Sequence, residues 1–260
     1  MTPRYLLATP RHRRPHLTHP CNLARSPAQV FESRVNATLP RAAAAGATGR
    51  TQFRELIASL RESTPLLSHD LTELRREALH ELNRRHGDGA SDTALDDLLA
   101  EFVTARSAVG DYLYDDVAPA VSALREAGVR VGAVTDGNFD IASAPLHVSE
   151  LFDFCITAAD AGCRKEGGPA PFLMAAKAAR CHVSQIVHVG DSVENDLVPA
   201  LTNGARAVLL TREVTRGDDG DELPTTRGEA EAAAAGAPRT AWRQASSLAE
   251  AAALIAAGLE

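Results

Sequence analysis

The sequence predicts an α/β fold built on a parallel sheet, and two patterns lead to this prediction. From residue 113 onward, short apolar segments alternate with helical patterns of about ten to fifteen residues, which is typical of βαβ units. One such segment runs from Ile186 to Val189 and ends at Gly190-Asp191, as a buried strand does when it enters a βα loop. Strands are predicted over residues 129–134, 152–157, 185–189 and 206–210.

Helical patterns fill the spaces between these strands. Helices are predicted over residues 116–127, 172–180 and 195–202. Pro119 suits the first turn of the first helix, and Ser247 is placed to cap a further helix near the end of the chain. Residues 213–238 are rich in Gly, Asp, Thr and Ala without periodicity, so they are predicted to be a loop insertion. The α/β core is therefore predicted to span residues 113–260.

Residues 51–112 show helical patterns alone and are predicted to form a small all-helical unit. Asp70 and Glu73 have the spacing of a capping box, and the helix that they begin ends at Gly87. Ser91 is placed to cap a second helix. The apolar stripe of this second helix comprises Leu95, Leu98, Leu99, Phe102 and Val103.

Residues 1–50 are predicted to be a basic N-terminal arm, of which residues 1–45 make no stable tertiary contacts. No acidic residue occurs from Met1 to Val30, and the arginines there are Arg4, Arg11, Arg13, Arg14 and Arg25. An Arg-rich, acid-poor composition is typical of a chloroplast or mitochondrial transit peptide. The alternatives are a disordered basic arm, or an N-terminus that is not the natural one.

The overall composition excludes several classes of partner. A net charge of −7 and a pI near 5.7 disfavour nucleic acid. No apolar run approaches the roughly 18 residues of a membrane helix, so no membrane partner is expected. The four cysteines include no C-x-x-C pair, which favours reduced thiols in an intracellular compartment, cytoplasmic if the arm is not a transit peptide. The sequence does not determine the oligomeric state.

Polar residues follow two of the predicted strands, at the edge where parallel sheets bind ligands. Thr135 ends one strand, and Asp136 and Gly137 form the turn after it. The Thr135 hydroxyl and the backbone amides of Asp136 and Gly137 are predicted to bind phosphate oxygens. Taken alone, however, the segment favours an ordinary turn. Asp191 and Asp196 follow another strand and can hold Mg²⁺, which prefers oxygen ligands. The alternative there is a polar turn that caps a helix.

Lys165 lies on the loop between these two sequence segments. A lysine is usually a solvated surface charge, so its place in the chain is the one reason to single it out. A hydroxyl, an ammonium and a carboxylate pair on successive loops are the groups that phosphoryl transfer requires, because they fix and neutralise the phosphate oxygens. These groups therefore predict phosphoryl-transfer chemistry, with a phosphorylated molecule as the ligand.

Thr135, Lys165 and the segment Gly190-Asp191-x-x-x-Asn195-Asp196 resemble the second, third and fourth motifs of the haloacid dehalogenase (HAD) superfamily. The resemblance covers residues 51–260 and is specific in its last motif. It implies a HAD-type Rossmann-like parallel sheet with a helical cap inserted before the second motif. A cap of this kind is similar to that of phosphatases of small phosphoesters, which depend on Mg²⁺.

The resemblance also implies a role for each matched residue. Thr135 would bind the transferring phosphate, and Lys165 would neutralise both the phosphate and the nucleophile. Asp191 would ligate Mg²⁺. For Asp196 two roles stay open, support of the metal site or support of Lys165.

The chain departs from the family in its first motif, D-x-D, whose first Asp attacks phosphorus. The only acidic residue before Glu55 is Glu32. The segment most similar to the motif is residues 35–39, and aligning it puts Arg34 in the position of the nucleophile. Glu166 also stands where a proline commonly follows the lysine. Two interpretations follow: an aberrant N-terminus, or a non-catalytic pseudo-phosphatase that binds a phosphorylated ligand or a protein partner. A haloacid dehalogenase is a third hypothesis, which the acid pair at Asp191 and Asp196 disfavours because that reaction needs no metal.

Overall fold

The computed structural model describes residues 5–8, 27–107, 113–137, 139–211 and 240–259, together with residues 230, 233, 234, 236 and 238. These residues fall into two compact units. The α/β unit draws on Met1–Arg14, Tyr112–Asp136 and Leu146–Glu260, and the helical unit draws on Pro15–Asp111 and Gly137–Pro145. The boundaries of both units differ from the predicted ranges, 51–112 for the helical part and 113–260 for the α/β part.

A single six-stranded sheet forms the centre of the α/β unit, and each pair of neighbouring strands is parallel. Its strands are β1 (Tyr5–Ala8), β2 (Arg130–Thr135), β3 (Phe154–Thr157), β4 (Ile186–Gly190), β5 (Arg206–Leu210) and β6 (Trp242–Ala245). Their order across the sheet is β3-β2-β1-β4-β5-β6. The predicted α/β class is therefore confirmed, and all four predicted strands are present within two residues of their predicted limits.

Strand β1 corrects the prediction for the N-terminal arm. Tyr5–Ala8 pairs with β2 on one side and β4 on the other, and Ala8 lies opposite both Ala133 and Val189. The prediction that residues 1–45 make no stable contacts is wrong for this strand. A four-residue apolar segment is too short to show a period, and its basic, proline-containing surroundings dominated the composition. The transit peptide stays a prediction, because residues 9–26 lie outside the described part of the chain.

Helices cover both faces of the sheet. Those of the α/β unit are α6 (Val117–Glu126), α7 (Leu146–Ser149), α8 (Ala158–Ala161), α9 (Ala170–Ala179), α10 (Val198–Thr202) and α11 (Leu248–Ala257). Val187 and Val189 pack with α6 and α11 on one face, whereas Ile186 packs with α9 and α10 on the other. This alternation follows from the two-residue period of a strand. The predicted cap of α11 is confirmed, since the Ser247 side chain accepts a hydrogen bond from the Glu250 amide.

The helical unit contains five helices among its described residues. They are α1 (Pro27–Thr38), α2 (Pro40–Ala44), α3 (Arg50–Ser63), α4 (Leu71–His86) and α5 (Asp92–Ser107). Asp70 caps α4, and Gly87 ends it in the left-handed region at φ 66°, as predicted. Val35 and Leu39 are buried against α4 and α5, so this unit begins well before residue 51. The alignment of residues 35–39 with the family's first motif is wrong. These residues pack among the helices of this unit and do not form a strand.

Two further predictions concern the remainder of the chain. The predicted loop insertion, residues 213–238, lies almost wholly outside the described residues. Among the helices that the structure describes, none combines the length and the apolar character needed to cross a lipid bilayer.

Candidate functional site

The candidate site lies at the carboxyl edge of the sheet in the α/β unit. Thr135 is the last residue of β2, Gly190 is the last residue of β4, and β1 runs between these two strands. Thr135 is 7% exposed, and Asp191 follows β4 directly in a half-buried position. Parallel topology thus brings together residues that are more than fifty positions apart in the sequence.

Lys165 is buried at this edge and is not a solvated surface charge. It begins a 3₁₀ turn, Lys165–Gly167, and is 2% exposed. Its Nζ lies 2.5 Å from Oδ1 of Asp196 and 3.9 Å from Oδ2 of Asp136. Its backbone N–H donates a hydrogen bond of 2.9 Å to Oδ1 of Asp136. An ammonium can be buried when it is paired in this way.

Asp196 reaches Lys165 because the chain after β4 forms a π-helical turn, Val193–Leu197, where one α-helix was predicted from residue 195. The carbonyl of Ser192 accepts hydrogen bonds from the amides of both Asp196 and Leu197. Turns of this kind occur often at functional sites. Gly190 leaves the space that Asp196 needs, since a Cβ at Gly190 would lie 2.2 Å from Cγ of Asp196.

Both carboxylate oxygens of Asp196 accept hydrogen bonds. Oδ1 accepts from Lys165 Nζ at 2.5 Å and lies 2.9 Å from Nε2 of His188, while Oδ2 accepts from the Ser192 amide at 3.2 Å. Burial by itself raises the pKa of Asp196, but His188 and Lys165 outweigh burial and hold this pKa well below its usual range. Of the two roles open for Asp196, the geometry favours support of Lys165.

His188 is a site residue that the sequence analysis missed. It lies in the middle of β4 with no exposed surface, and its ring meets that of Phe172 edge-on at 5.6 Å. Burial lowers its pKa, although the nearby Asp196 acts in the opposite direction. Because an ionised carboxylate only accepts, Nε2 carries the proton in this hydrogen bond. The signal in the sequence was a histidine inside an apolar strand, which requires a buried polar partner.

Asp136 also has a role that the sequence analysis did not assign. Its predicted contribution was its backbone amide, whereas in the structure its carboxylate positions the Lys165 loop from the end of β2. Gly137, the third residue predicted for phosphate binding, belongs to the helical unit. Glu166, which replaces the family's proline, pairs with Arg164 at 2.6 Å.

The described residues do not by themselves form a complete set of Mg²⁺ ligands. Across the described residues there is no group of three His, Cys, Asp or Glu side chains arranged to hold a metal. Both oxygens of Asp196 accept hydrogen bonds, from Lys165 and from the Ser192 amide. The six residues that follow β1 in the sequence, from Thr9 to Arg14, include no carboxylate. Mg²⁺ binding at Asp191 stays a prediction.

Comparison with known proteins identifies the family. The model of the haloacid dehalogenase-like hydrolases matches residues 28–202, about two thirds of the chain. The chain therefore belongs to the haloacid dehalogenase-like hydrolases. The match begins after β1, in agreement with the absence of D-x-D from the segment that follows this strand. A search of curated proteins gave no match.

Solved structures show the same fold. A 2-haloacid dehalogenase from Pseudomonas syringae pv. tomato DC3000 superposes with a TM-score of 0.66 at 21% identity, covering 99% of both chains. L-2-haloacid dehalogenase from Xanthobacter autotrophicus gives a TM-score of 0.56 at 13% identity over 98% of both chains. A HAD phosphatase from Thermococcus onnurineus gives 0.50 at 20% identity over 83% of this chain and 90% of its own. At these identities the similarity shows the fold alone.

Proposed function

We propose that this HAD-like hydrolase binds the phosphoryl group of a small phosphorylated metabolite and descends from Mg²⁺-dependent phosphatases. The observation that carries the proposal is the Lys165 ammonium, buried at the carboxyl edge of the sheet and fixed by Asp196 and Asp136. A fixed cation in a water-poor site interacts strongly with an anionic group, because little solvent screens it. Thr135, at the end of β2, supplies a hydroxyl that can donate to a phosphate oxygen.

The same geometry limits the affinity. Lys165 shares its charge with two carboxylates, and Asp191 adds a third at the same edge. Among the described residues named here, the carboxylates outnumber the one ammonium, so phosphate binding is expected to be weak. We expect phosphatase activity that depends on Mg²⁺ only in a variant of this chain that carries D-x-D after β1.

Turnover by the chain itself is expected to be at or near background. The family's covalent step requires an Asp at the end of the first core strand, and residues 9–14 offer Thr, Pro, Arg, His, Arg and Arg. A binding site without this nucleophile is what the pseudo-phosphatase hypothesis describes. An active phosphatase and a pseudo-phosphatase would bind the same class of ligand, so binding and turnover are tested separately.

Binding is tested by adding orthovanadate or inorganic phosphate to the full chain and following the melting temperature, with sodium chloride at equal ionic strength as reference. Thr135→Ala is expected to reduce the stabilisation. Thr157→Ala is the matched control, since Thr157 ends the neighbouring strand β3 opposite Thr135. Its hydroxyl caps α8, so its loss lowers stability by about 1 kcal/mol without changing the response to phosphate. An equal response in the wild type and in Thr135→Ala would contradict the proposed site.

Dehalogenase activity is the alternative function, because solved structures with the same fold include haloacid dehalogenases. Chloride release from 2-chloropropionate is measured beside hydrolysis of p-nitrophenyl phosphate. Since both reactions need the missing Asp, neither is expected above background. Chloride release by the wild type that is lost in Lys165→Met would contradict the phosphatase assignment and support a dehalogenase activity.

A further inference from the structure

Two arginines of the helical unit lie against the same aromatic ring. The guanidinium carbon of Arg75, on α4, lies 5.0 Å from the centre of the Phe102 ring. That of Arg106, on α5, lies 5.7 Å from the same centre. Each contact is favourable as a cation–π interaction, but the shared ring brings two positive charges together.

Arg75 has a donor that the protein does not satisfy. Its Nη1 is buried and has no hydrogen-bond partner among the described residues. A buried guanidinium N–H without an acceptor destabilises the fold, and native proteins rarely retain one without an ion or a water molecule in place. The neighbouring Arg76 differs, because it pairs with Glu73 at 2.5 Å and with Asp96 at 2.8 Å.

The charges around Arg75 are also positive. Burial, together with repulsion from Arg106 and Arg61, lowers its pKa to about 9. Arg61 approaches from α3, where its Nε donates to the carbonyl of Ser68. Arg75 nevertheless remains charged at neutral pH. Helices α3, α4 and α5 thus each contribute one arginine to this cluster, and among the described residues the charges that shift the pKa of Arg75 are both positive.

We propose that Arg75 and Arg106 form a binding site for a small oxyanion, a phosphate or a carboxylate group, on the helical unit. Arg75 provides the buried Nη1 donor, Arg106 provides a second guanidinium, and Phe102 holds both. Guanidinium groups match the planar, two-oxygen geometry of carboxylate and phosphate. A bound oxyanion satisfies the orphaned donor and offsets the repulsion among the three arginines. This site is independent of the function proposed for the α/β unit.

The test uses the full chain with Thr135→Ala, which removes the proposed phosphate contact in the α/β unit. Sodium phosphate and sodium malonate are added separately, and the melting temperature is compared with that in sodium chloride at equal ionic strength. Stabilisation by one or both anions is expected, and the stronger response identifies the preferred group. Adding Arg75→Met should weaken the apparent affinity by about tenfold or more, the usual effect of losing a charged hydrogen bond.

The matched control is Arg54→Met, because Arg54 is an exposed arginine of α3. This control should leave the response to both anions unchanged. An equal response with and without Arg75→Met, an equal loss in the control, or no anion response in the Thr135→Ala parent would each overturn the proposal. If Arg75→Met fails to fold, Arg106→Met replaces it, and an unchanged response in that variant overturns the proposal as well.

Discussion

The ammonium of Lys165 lies 2.5 Å from Oδ1 of Asp196, and these side chains are 2% and 4% exposed. A buried ion pair is favourable only when both partners are present, because a buried charge left alone retains its desolvation cost. The pair joins the loop after β3 to the turn after β4. Its integrity therefore determines both the stability of the α/β unit and the position of the proposed phosphate-binding cation.

Replacement of Asp196 should be much more harmful than replacement of Asp191. Asp196→Asn leaves the Lys165 charge without its nearest counter-ion and is expected to lower the free energy of unfolding by about 3–5 kcal/mol. Asp191→Asn affects a half-buried carboxylate and should cost clearly less. Urea denaturation of the two variants measures the difference. Equal losses would show that Asp196 does not act as the anchor of Lys165.

His188 should make stability depend on pH in a defined direction. Its pKa in the folded chain lies below the ordinary value of 6.5, so the unfolded chain takes up the proton first as the pH falls. The stabilising contribution is therefore complete above pH 6.5 and is lost progressively below it. Asp196 acts in the same direction, but only below its ordinary value of 3.8.

The measurement is the free energy of unfolding between about pH 8 and pH 5, the range in which an unperturbed histidine titrates. His188→Gln removes the titrating group and keeps an N–H donor, so its stability should change less with pH than that of the wild type. His188→Leu leaves Asp196 short of one donor and should cost about 1–3 kcal/mol at pH 8. Parallel pH profiles in the wild type and His188→Gln would contradict the assignment.

Gly190 should not tolerate a side chain. In Gly190→Ala the new Cβ would lie 2.2 Å from Cγ of Asp196, so Asp196 must move away from Lys165. We expect a loss of about 1–3 kcal/mol or more, together with loss of the vanadate response. Gly132→Ala is the control within β2, since its Cβ would instead meet the Phe154 ring. The control should lose stability and retain the vanadate response; retention by both variants would contradict the role of Gly190.

Strand β1 should be indispensable for the α/β unit. A proline cannot donate to a sheet ladder and is not tolerated in a central strand, and β1 is paired on both sides. Leu7→Pro should therefore abolish cooperative unfolding of the sheet, whereas Leu7→Val, which suits a strand, should preserve it. Circular dichroism during thermal denaturation distinguishes these results. A Leu7→Pro chain that melts like the wild type would place β1 outside the sheet.

Most of the α/β fold could be predicted from the sequence, because its strands and helices follow strong local patterns. The segment 186–189 and the caps at Asp70 and Ser247 each have a short-range physical signal, and each is present in the structure. Strand β1 has no such signal. Its position depends on hydrogen bonds to β2 and β4, whose residues are more than 120 positions away.

The location of the candidate site residues could be predicted from the sequence, whereas their contacts could not. Thr135, Lys165, Asp191 and Asp196 do lie in the α/β unit at or near the carboxyl edge, as expected from successive βα loops. The different contacts of Asp191 and Asp196 could not be predicted, because they depend on the π-helical turn that directs Asp196 to Lys165. The His188 contact likewise depends on which face of β4 each residue occupies.

We propose that the α/β unit holds a phosphate site whose carboxylate nucleophile is absent from the segment that follows β1. The direct measurement is hydrolysis of p-nitrophenyl phosphate, with Mg²⁺ present, by the wild type and by the double variant Thr9→Asp/Arg11→Asp, which places D-x-D immediately after β1 in the sequence. We expect background rates in the wild type and in the Thr9→Asn/Arg11→Asn control. The double Asp variant should be at least about a thousandfold faster, since a lost nucleophile costs several orders of magnitude, and Lys165→Met should remove that gain. Robust hydrolysis by the wild type, or a folded double Asp variant that stays at background, would contradict the claim.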